Sequence, residues 1–387
     1  MTNQSSGPAQ RASLHPIPGG AVLFDDAEGR FYALNPAAGL TWLCIVQGLS
    51  KDESTLVLAE TFEIDSGMAA EWFRVSMAKF QELGLFKSGE ANARASIARD
   101  ALPGSAMKES LRSPWREYLL LDQIVRVSAP DEPLANIETL LGTLRKNCNQ
   151  RALPSIEINV LAQGEQWDII LDGNLEATCD TFSIVAEVER VLVQRVVPST
   201  PHLLTFHAAA LQRHGRTLLL AGASGAGKTT LSLALTRAGW CFGSDEIVLL
   251  DGNRDMRALP LPPCIKEDSF SLIENWFPEL RTAPKHQRYG HTVKYLPITS
   301  ASATFSSSHG SVVFLRFDPG GPNEIRPVDQ FVALERLLAQ CVFVPPGFQH
   351  RDVEQLLLWH GEQSYFDLSF CDCDAAVAIL TSDAAKG

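Results

Sequence analysis

Short apolar runs separated by polar turns open the chain. Ala21–Phe24 and Arg30–Leu34 flank the polar stretch Asp25-Asp26-Ala27-Glu28-Gly29, which predicts a β-hairpin. The pattern then lengthens to a helical period. Asn35-Pro36 supplies a capping side chain followed by a first-turn proline, and predicts a helix over Ala37–Gln47 with Leu40, Trp42, Leu43 and Val46 on its apolar positions. Ser50 and Glu53 form a capping box ahead of a second helix, Lys51–Phe62. A third is predicted from Ser66 to Leu83, stopped by Gly84, with Met68, Trp72, Val75, Phe80 and Leu83 as its apolar face. A hairpin with three helices over residues 15–88 is the outline of a small α+β winged-helix domain. Residues 1–14, rich in Ser, Gln and Gly, are expected to form a flexible tail.

Apolar periodicity fades over residues 89–113, which predicts a linker. Beyond it the pattern is mixed. Tyr118–Ser128, Ser155–Leu161 and Trp167–Leu171 are strand-like, and Leu134–Lys146 and Thr181–Val196 helical. Strand and helix signals alternate from residue 203 to the end. Residues 114–387 therefore predict an α/β domain, divided into an N-terminal part, 114–206, and a core, 207–387.

Composition narrows the function classes. The 387 residues are 45% hydrophobic and 20% charged, enough to bury a sizeable core. A net charge of −12 argues against a nucleic-acid partner, which calls for a basic footprint. No apolar stretch approaches the ~20 residues of a membrane span, and the polar Met1–His15 lacks the core of a secretory signal. The expectation is a cytoplasmic protein without a membrane partner. The eight cysteines are scattered, with only Cys371 and Cys373 close, as C-x-C, and predict no zinc set.

The most specific signal is Gly222-Ala223-Ser224-Gly225-Ala226-Gly227-Lys228-Thr229, which satisfies G-x-x-x-x-G-K-[ST] in full. Its flanks fit: Thr217–Ala221 reads as a buried strand entering the loop, and Thr229–Arg237, with Thr230 in its first turn, as the helix leaving it. Glycines let successive backbone N–H groups converge on phosphate oxygens, and the helix N-terminus adds partial positive charge. The motif predicts a nucleoside triphosphate with Mg²⁺, Lys228 on the β- and γ-phosphates and the Thr229 hydroxyl on the metal; ATP is the expected donor, although no base-reading motif is visible.

Such a site also needs acids. Asp245-Glu246 is one candidate: adjacent carboxylates repel unless a cation or proton sits between them, so they are either a metal-and-base pair or a solvated loop. Asp251 closes the apolar run Ile247–Leu250 but also begins the turn Asp251-Gly252-Asn253. His207, between apolar residues just ahead of the loop strand, is either structural or placed to orient a carboxylate or contact phosphate.

Two resemblances weigh on these alternatives. Residues 207–250, with His207, the loop Gly222–Thr229 and the pair Asp245-Glu246, resemble the HPr serine kinase family. The resemblance implies an α/β P-loop kinase domain of the HPr kinase/PEP carboxykinase-like fold, in which Asp245 is the general base, His207 lies nearby, Glu246 sits at the metal and copies assemble as a homo-oligomer. Thr230 departs from the family's glutamate at that place, and the family's downstream glycine-rich signature is not evident, which puts phosphorylase activity and HPr itself as substrate in doubt. The segments 261–266 and 291–297 resemble stretches of HPr-kinase-related proteins found with peptide-modification systems, making Lys266 and Lys294 candidate phosphate or substrate contacts.

Residues 15–87 resemble the PqqD-like peptide-recognition family, through Gly29–Asn35, the helix with Trp42, the Ser50 capping box and Leu83-Gly84-Leu85. That resemblance implies a peptide added as a strand, with Ala21–Phe24 and Met68–Phe80 as the receiving surface. The combined expectation is an ATP-dependent kinase acting on a peptide or protein hydroxyl, the substrate held by residues 15–88. A small-molecule kinase for a sugar or amino acid, or an ATP-binding recognition protein with little turnover, are the alternatives.

Overall fold

The computed structural model describes residues 12–26, 28–86, 115–145, 156–298, 304–305 and 310–382. The linker at 89–113 and most of the tail at 1–14 lie outside them. The chain divides into two units: described residues 12–86 with 327–365, and 115–326 with 366–382. Residues 327–365 thus group with the N-terminal residues rather than with the core that follows the phosphate loop.

In the first unit an antiparallel sheet runs in the order Ala12–Ile17, Gly20–Asp25, Arg30–Leu34. The first of these strands begins inside the stretch read as a tail. It also makes Gly20–Asp25 the middle strand, paired on both sides, so Ala21–Phe24 cannot receive a further strand as expected. The three helices follow their signals closely: Pro36–Val46, Lys51–Phe62 and Ser66–Glu82. Asn35 caps the first through Ala38 N at 2.8 Å. Ser50 and Glu53 form both bonds of the capping box.

The buried faces are rotated from the expected ones. On the third helix Ala69, Phe73 and Phe80 are buried, whereas Met68 and Val75 are exposed. On the first, Trp42 and Cys44 are buried, and Leu43 and Val46 lie toward solvent. The cause is the sheet-facing cluster of Leu23, Leu34, Trp42, Phe80 and Leu85, in which Trp42 meets Phe80 edge-on at 5.2 Å. Leu58 and Phe73 form a second cluster between helices two and three. Helices Gln330–Leu338 and His350–Gly361 belong to the same unit, where Phe348 packs on Phe24 and Phe31.

The second unit is a mixed α/β assembly of several sheets. Its main sheet runs Thr304–Phe305, Met256–Ala258, Ile247–Leu250, Leu204–Arg213, Arg216–Ala221, Gly310–Phe317, Ser364–Phe370, Glu324–Pro327, with Cys241–Ser244 also paired to Leu204–Arg213. The loop strand Arg216–Ala221 is central, antiparallel to Leu204–Arg213 and parallel to Gly310–Phe317. Helix Lys228–Arg237 packs through Leu231 and Leu235 onto a core of Leu218, Leu220, Val313 and Leu368.

A separate sheet holds Arg116–Leu120, Gln123–Ser128, Ile156–Gln163, Gln166–Leu171 and Asn174–Cys179 in that order. The single strand expected over Tyr118–Ser128 is therefore two, turning at Leu121, whose φ of 52° no turn residue advertises. Asn174–Cys179 was signalled by the Asp172-Gly173 turn but not read. Three short strands, Cys264–Lys266, His291–Tyr295 and His286–Arg288, make a further antiparallel sheet. Among the described residues no helix is long and apolar enough to cross a membrane.

The rotated face of the third helix gives a direct test. Phe73→Ala should destabilise the first unit by about 3–5 kcal/mol, while Met68→Ala should cost under about 0.5 kcal/mol. Denaturant unfolding of the two variants reads the difference.

Candidate active site

The phosphate loop leaves its strand at Ala221 and turns into helix Lys228–Arg237. Gly225 and Gly227 have φ of 85° and 91°, which L side chains rarely adopt, and a Cβ at Gly227 would stand 2.9 Å from the Phe370 ring. Both glycines are therefore dictated locally. Gly227 leaves the helix without a side-chain cap, and an uncapped helix N-terminus offers N–H donors that could meet an anion.

The loop opens on a cavity of about 420 Å³. Ala223, Ser224, Gly225, Gly227, Lys228, Thr229 and Thr230 line it from one side. His207, Asp245, Glu246 and Lys266 reach it from others, together with Cys264, Arg288, Tyr289 and His291. Gly222 and Ala226, also expected at the site, shape the loop without lining the cavity. Lys294 does not reach it either: it is 5% exposed, and its ammonium donates to Glu274 at 3.0 Å and to the Leu280 carbonyl at 2.8 Å. Asp251 is a turn residue, its carboxylate accepting from Asn253 N and Asp255 N.

Within the cavity the charges are tightly arranged. Lys228 Nζ donates to Gly222 O at 2.6 Å and Ala223 O at 3.3 Å. Burial lowers its pKa, with Asp245 and Glu246 pulling the other way. Thr229 Oγ1 donates to Asp245 Oδ2 at 2.7 Å, tying the start of the helix to the end of the neighbouring strand Cys241–Ser244. Asp245 is pushed up to about 6, first by burial and then by the adjacent Glu246. Glu246 points elsewhere, with both oxygens on Arg288 Nη2 at 2.9 and 2.8 Å. His207 stands opposite Ile247 in the sheet register and its Nδ1 lies 3.1 Å from Glu246 O. A carbonyl only accepts, so Nδ1 carries the proton and Nε2 is left with its lone pair. Burial, then Lys228, lowers the His207 pKa, so the ring is neutral at pH 7.

Three groups were missed in the sequence. Arg288 lies at the end of a three-residue strand, before the Tyr289-Gly290 turn. It bridges Glu246 to Glu189, whose other oxygen accepts from Tyr295 at 2.7 Å. Burial pushes Glu189 up to about 7 against the pull of Arg288. Burial also works against the Arg288 cation, but Glu189 and Glu246 outweigh it and hold its pKa above the ordinary value. The one legible signal was Glu189 itself, a carboxylate on the buried face of helix Ile184–Ser199 beside Val185, Val188 and Leu192.

Among the described residues no group of three or more His, Cys, Asp or Glu is arranged to hold a metal.

No family model and no curated protein matches the chain. Among solved structures, the HPr(Ser) kinase/phosphatase from Coxiella burnetii aligns at 13% identity over 46% of this chain and 91% of that one, with a TM-score of 0.22.

The raised Asp245 has a checkable consequence. In the unfolded chain Asp245 ionises near 3.8, in the fold near 6. The cost of its charge therefore appears as pH rises past the lower value and is complete above the higher. Without divalent cation, Asp245→Asn should raise Tm at pH 8, and the gain should shrink as pH falls and vanish below the lower value. Thermal unfolding across that range checks it.

Proposed function

We propose that the pocket binds a nucleoside triphosphate with Mg²⁺ and transfers its terminal phosphoryl group to a hydroxyl of a peptide or protein. The observation that carries the reading is the 2.7 Å contact between Thr229 and Asp245 at the head of the loop helix. It brings a hydroxyl and a carboxylate, both hard oxygen donors, together beside the loop, which supports a divalent cation bound there with the phosphates.

The donor set fits Mg²⁺, with one carboxylate and one hydroxyl from the protein. Thr229 and Asp245 would hold it, rather than the Glu246 first expected, because Glu246 is committed to Arg288. The ion, when bound, neutralises charge on the phosphate oxygens. Lys228 and the loop N–H groups would cradle the polyphosphate. Arg288 adds a second cation for charge developing on the transferred group. His207, neutral and with its Nδ1–H fixed on Glu246 O, offers Nε2 to the acceptor hydroxyl's proton, so the metal and base roles expected of the acidic pair fall to Asp245 and His207.

The first unit supplies a surface for the acceptor chain. Arg30–Leu34 is an edge strand of its sheet, and at its end an apolar groove is lined by Asn35, Pro36, Ala37, Phe62, Trp72, Val75 and Ser76. A peptide extended along that edge with an apolar side chain in the groove is the mode of recognition the surface supports.

Labelled ATP, Mg²⁺ and a degenerate library of Ser- and Thr-containing peptides test this. Wild type should incorporate label, and Lys228→Ala should abolish incorporation. His207→Gln should lower kcat by about 10²–10⁴-fold with nucleotide affinity unchanged. Val75→Glu, in the groove, should raise the peptide KM and leave kcat in place. Absence of both incorporation and nucleotide binding in wild type would refute the reading.

A further inference from the structure

Helix Ile184–Ser199 lies outside the cavity lining, yet it sends one carboxylate toward it. Glu189 is 5% exposed, and both its oxygens are used: Oε1 lies 3.1 Å from Arg288 Nη2 and Oε2 accepts from the Tyr295 hydroxyl at 2.7 Å. Tyr295 is itself 1% exposed at the end of strand His291–Tyr295. The anchor is thus fixed at both ends by regular structure.

Arg288 is held by a single nitrogen. Nη2 meets Glu189 and both oxygens of Glu246, and the guanidinium carbon lies 5.3 Å from the centre of the Tyr289 ring. Among the described residues Nε and Nη1 make no hydrogen bond. A guanidinium carries five N–H donors in a rigid fork, so most of its donors remain for a ligand although its position is set. A buried ion pair is poor evidence for stability, because replacing it with apolar groups is often neutral or better. Glu189 sits on an otherwise apolar face, where a leucine would pack. A carboxylate there needs another reason, and the side chain it holds is one that lines the cavity.

We propose that Glu189 is a positioning residue for phosphoryl transfer: it anchors Arg288 beside the pocket so that the free donors of the guanidinium meet the transferred phosphoryl group. The inference rests on the function proposed above. Two anchors from different elements are what the task requires. Glu246 alone could follow the arginine as an incoming anion drew it away; Glu189, locked by Tyr295, does not move with it. The phosphoryl group then meets a cation already in place, with little reorganisation left for the reacting complex.

The experiment uses binding, so it needs no knowledge of the acceptor. The full-length protein with Mg²⁺ is titrated calorimetrically with ADP alone and with ADP plus aluminium fluoride, whose fluoride complex imitates the phosphoryl group in transfer. Wild type should bind ADP and bind the fluoride complex more tightly. Glu189→Gln keeps the shape and a hydrogen-bonding partner for Tyr295 but removes the charge. It should leave ADP affinity within about twofold and weaken the fluoride complex by about 10–100-fold. In an Arg288→Lys background the same change should add little, because the two act as one unit. A purely structural role would weaken both ligands together and add fully in the double variant. If Glu189→Gln fails to fold, Tyr295→Phe carries the same test through the anchor's other end, with the same direction expected. Equal tightening in wild type and the folded variant, or no tightening by fluoride in wild type, overturns the assignment of Glu189. Failure of wild type to bind ADP at all overturns the nucleotide reading beneath it.

Discussion

Adjacent carboxylates at a buried strand end must be offset by positive charge, and the second unit is organised around that constraint. Asp245 and Glu246 follow one another in the chain, so they cannot separate. The fold turns them to different partners instead: Asp245 to the Thr229 hydroxyl and Glu246 to the Arg288 guanidinium. Each partner comes from a different element. The loop helix, the strand ending at Ser244 and the hairpin bearing Arg288 are therefore joined at one cavity by these two polar contacts. The Arg288 cation on one side and the Thr229 and Asp245 oxygens on the other are the two sides of this arrangement, and the proposed chemistry rests on it.

The loop and its flanks were legible because each residue there is constrained locally. Gly225 and Gly227 occupy conformations that side chains resist, Lys228 and Thr229 open a helix, and the apolar run before them is a central strand. The capping signals at Asn35 and at Ser50 with Glu53 were legible for the same reason: a cap and its partner lie three residues apart. Lys266 did reach the cavity, while Lys294, equally basic and equally near a strand, turned inward to Glu274. Nothing local separates the two.

What could not be read depends on contacts distant in the chain. Glu189 and Arg288 are 99 positions apart, and neither carries a motif. The faces of the first and third helices were misjudged because sequence periodicity counts apolar residues without knowing which side the sheet occupies. Leu43, Val46, Met68 and Val75 satisfy the period yet remain outside, and Val75 lines the groove beside the edge strand. Surplus apolar residues on a helix can thus lie outside the core. The strand Ala12–Ile17 was hidden by its mixed composition, and its pairing leaves Arg30–Leu34 as the outer strand on the other side of the sheet.

The central claim is that the loop amides and the strand end bearing Asp245 meet one ligand together. Hydrogen–deuterium exchange with and without ATP and Mg²⁺ examines it at both places in a single measurement. Slowed exchange over residues 223–230 and over 244–247 at once is the predicted result. Protection confined to regions away from the loop, or none in either segment at saturating nucleotide, would contradict the account.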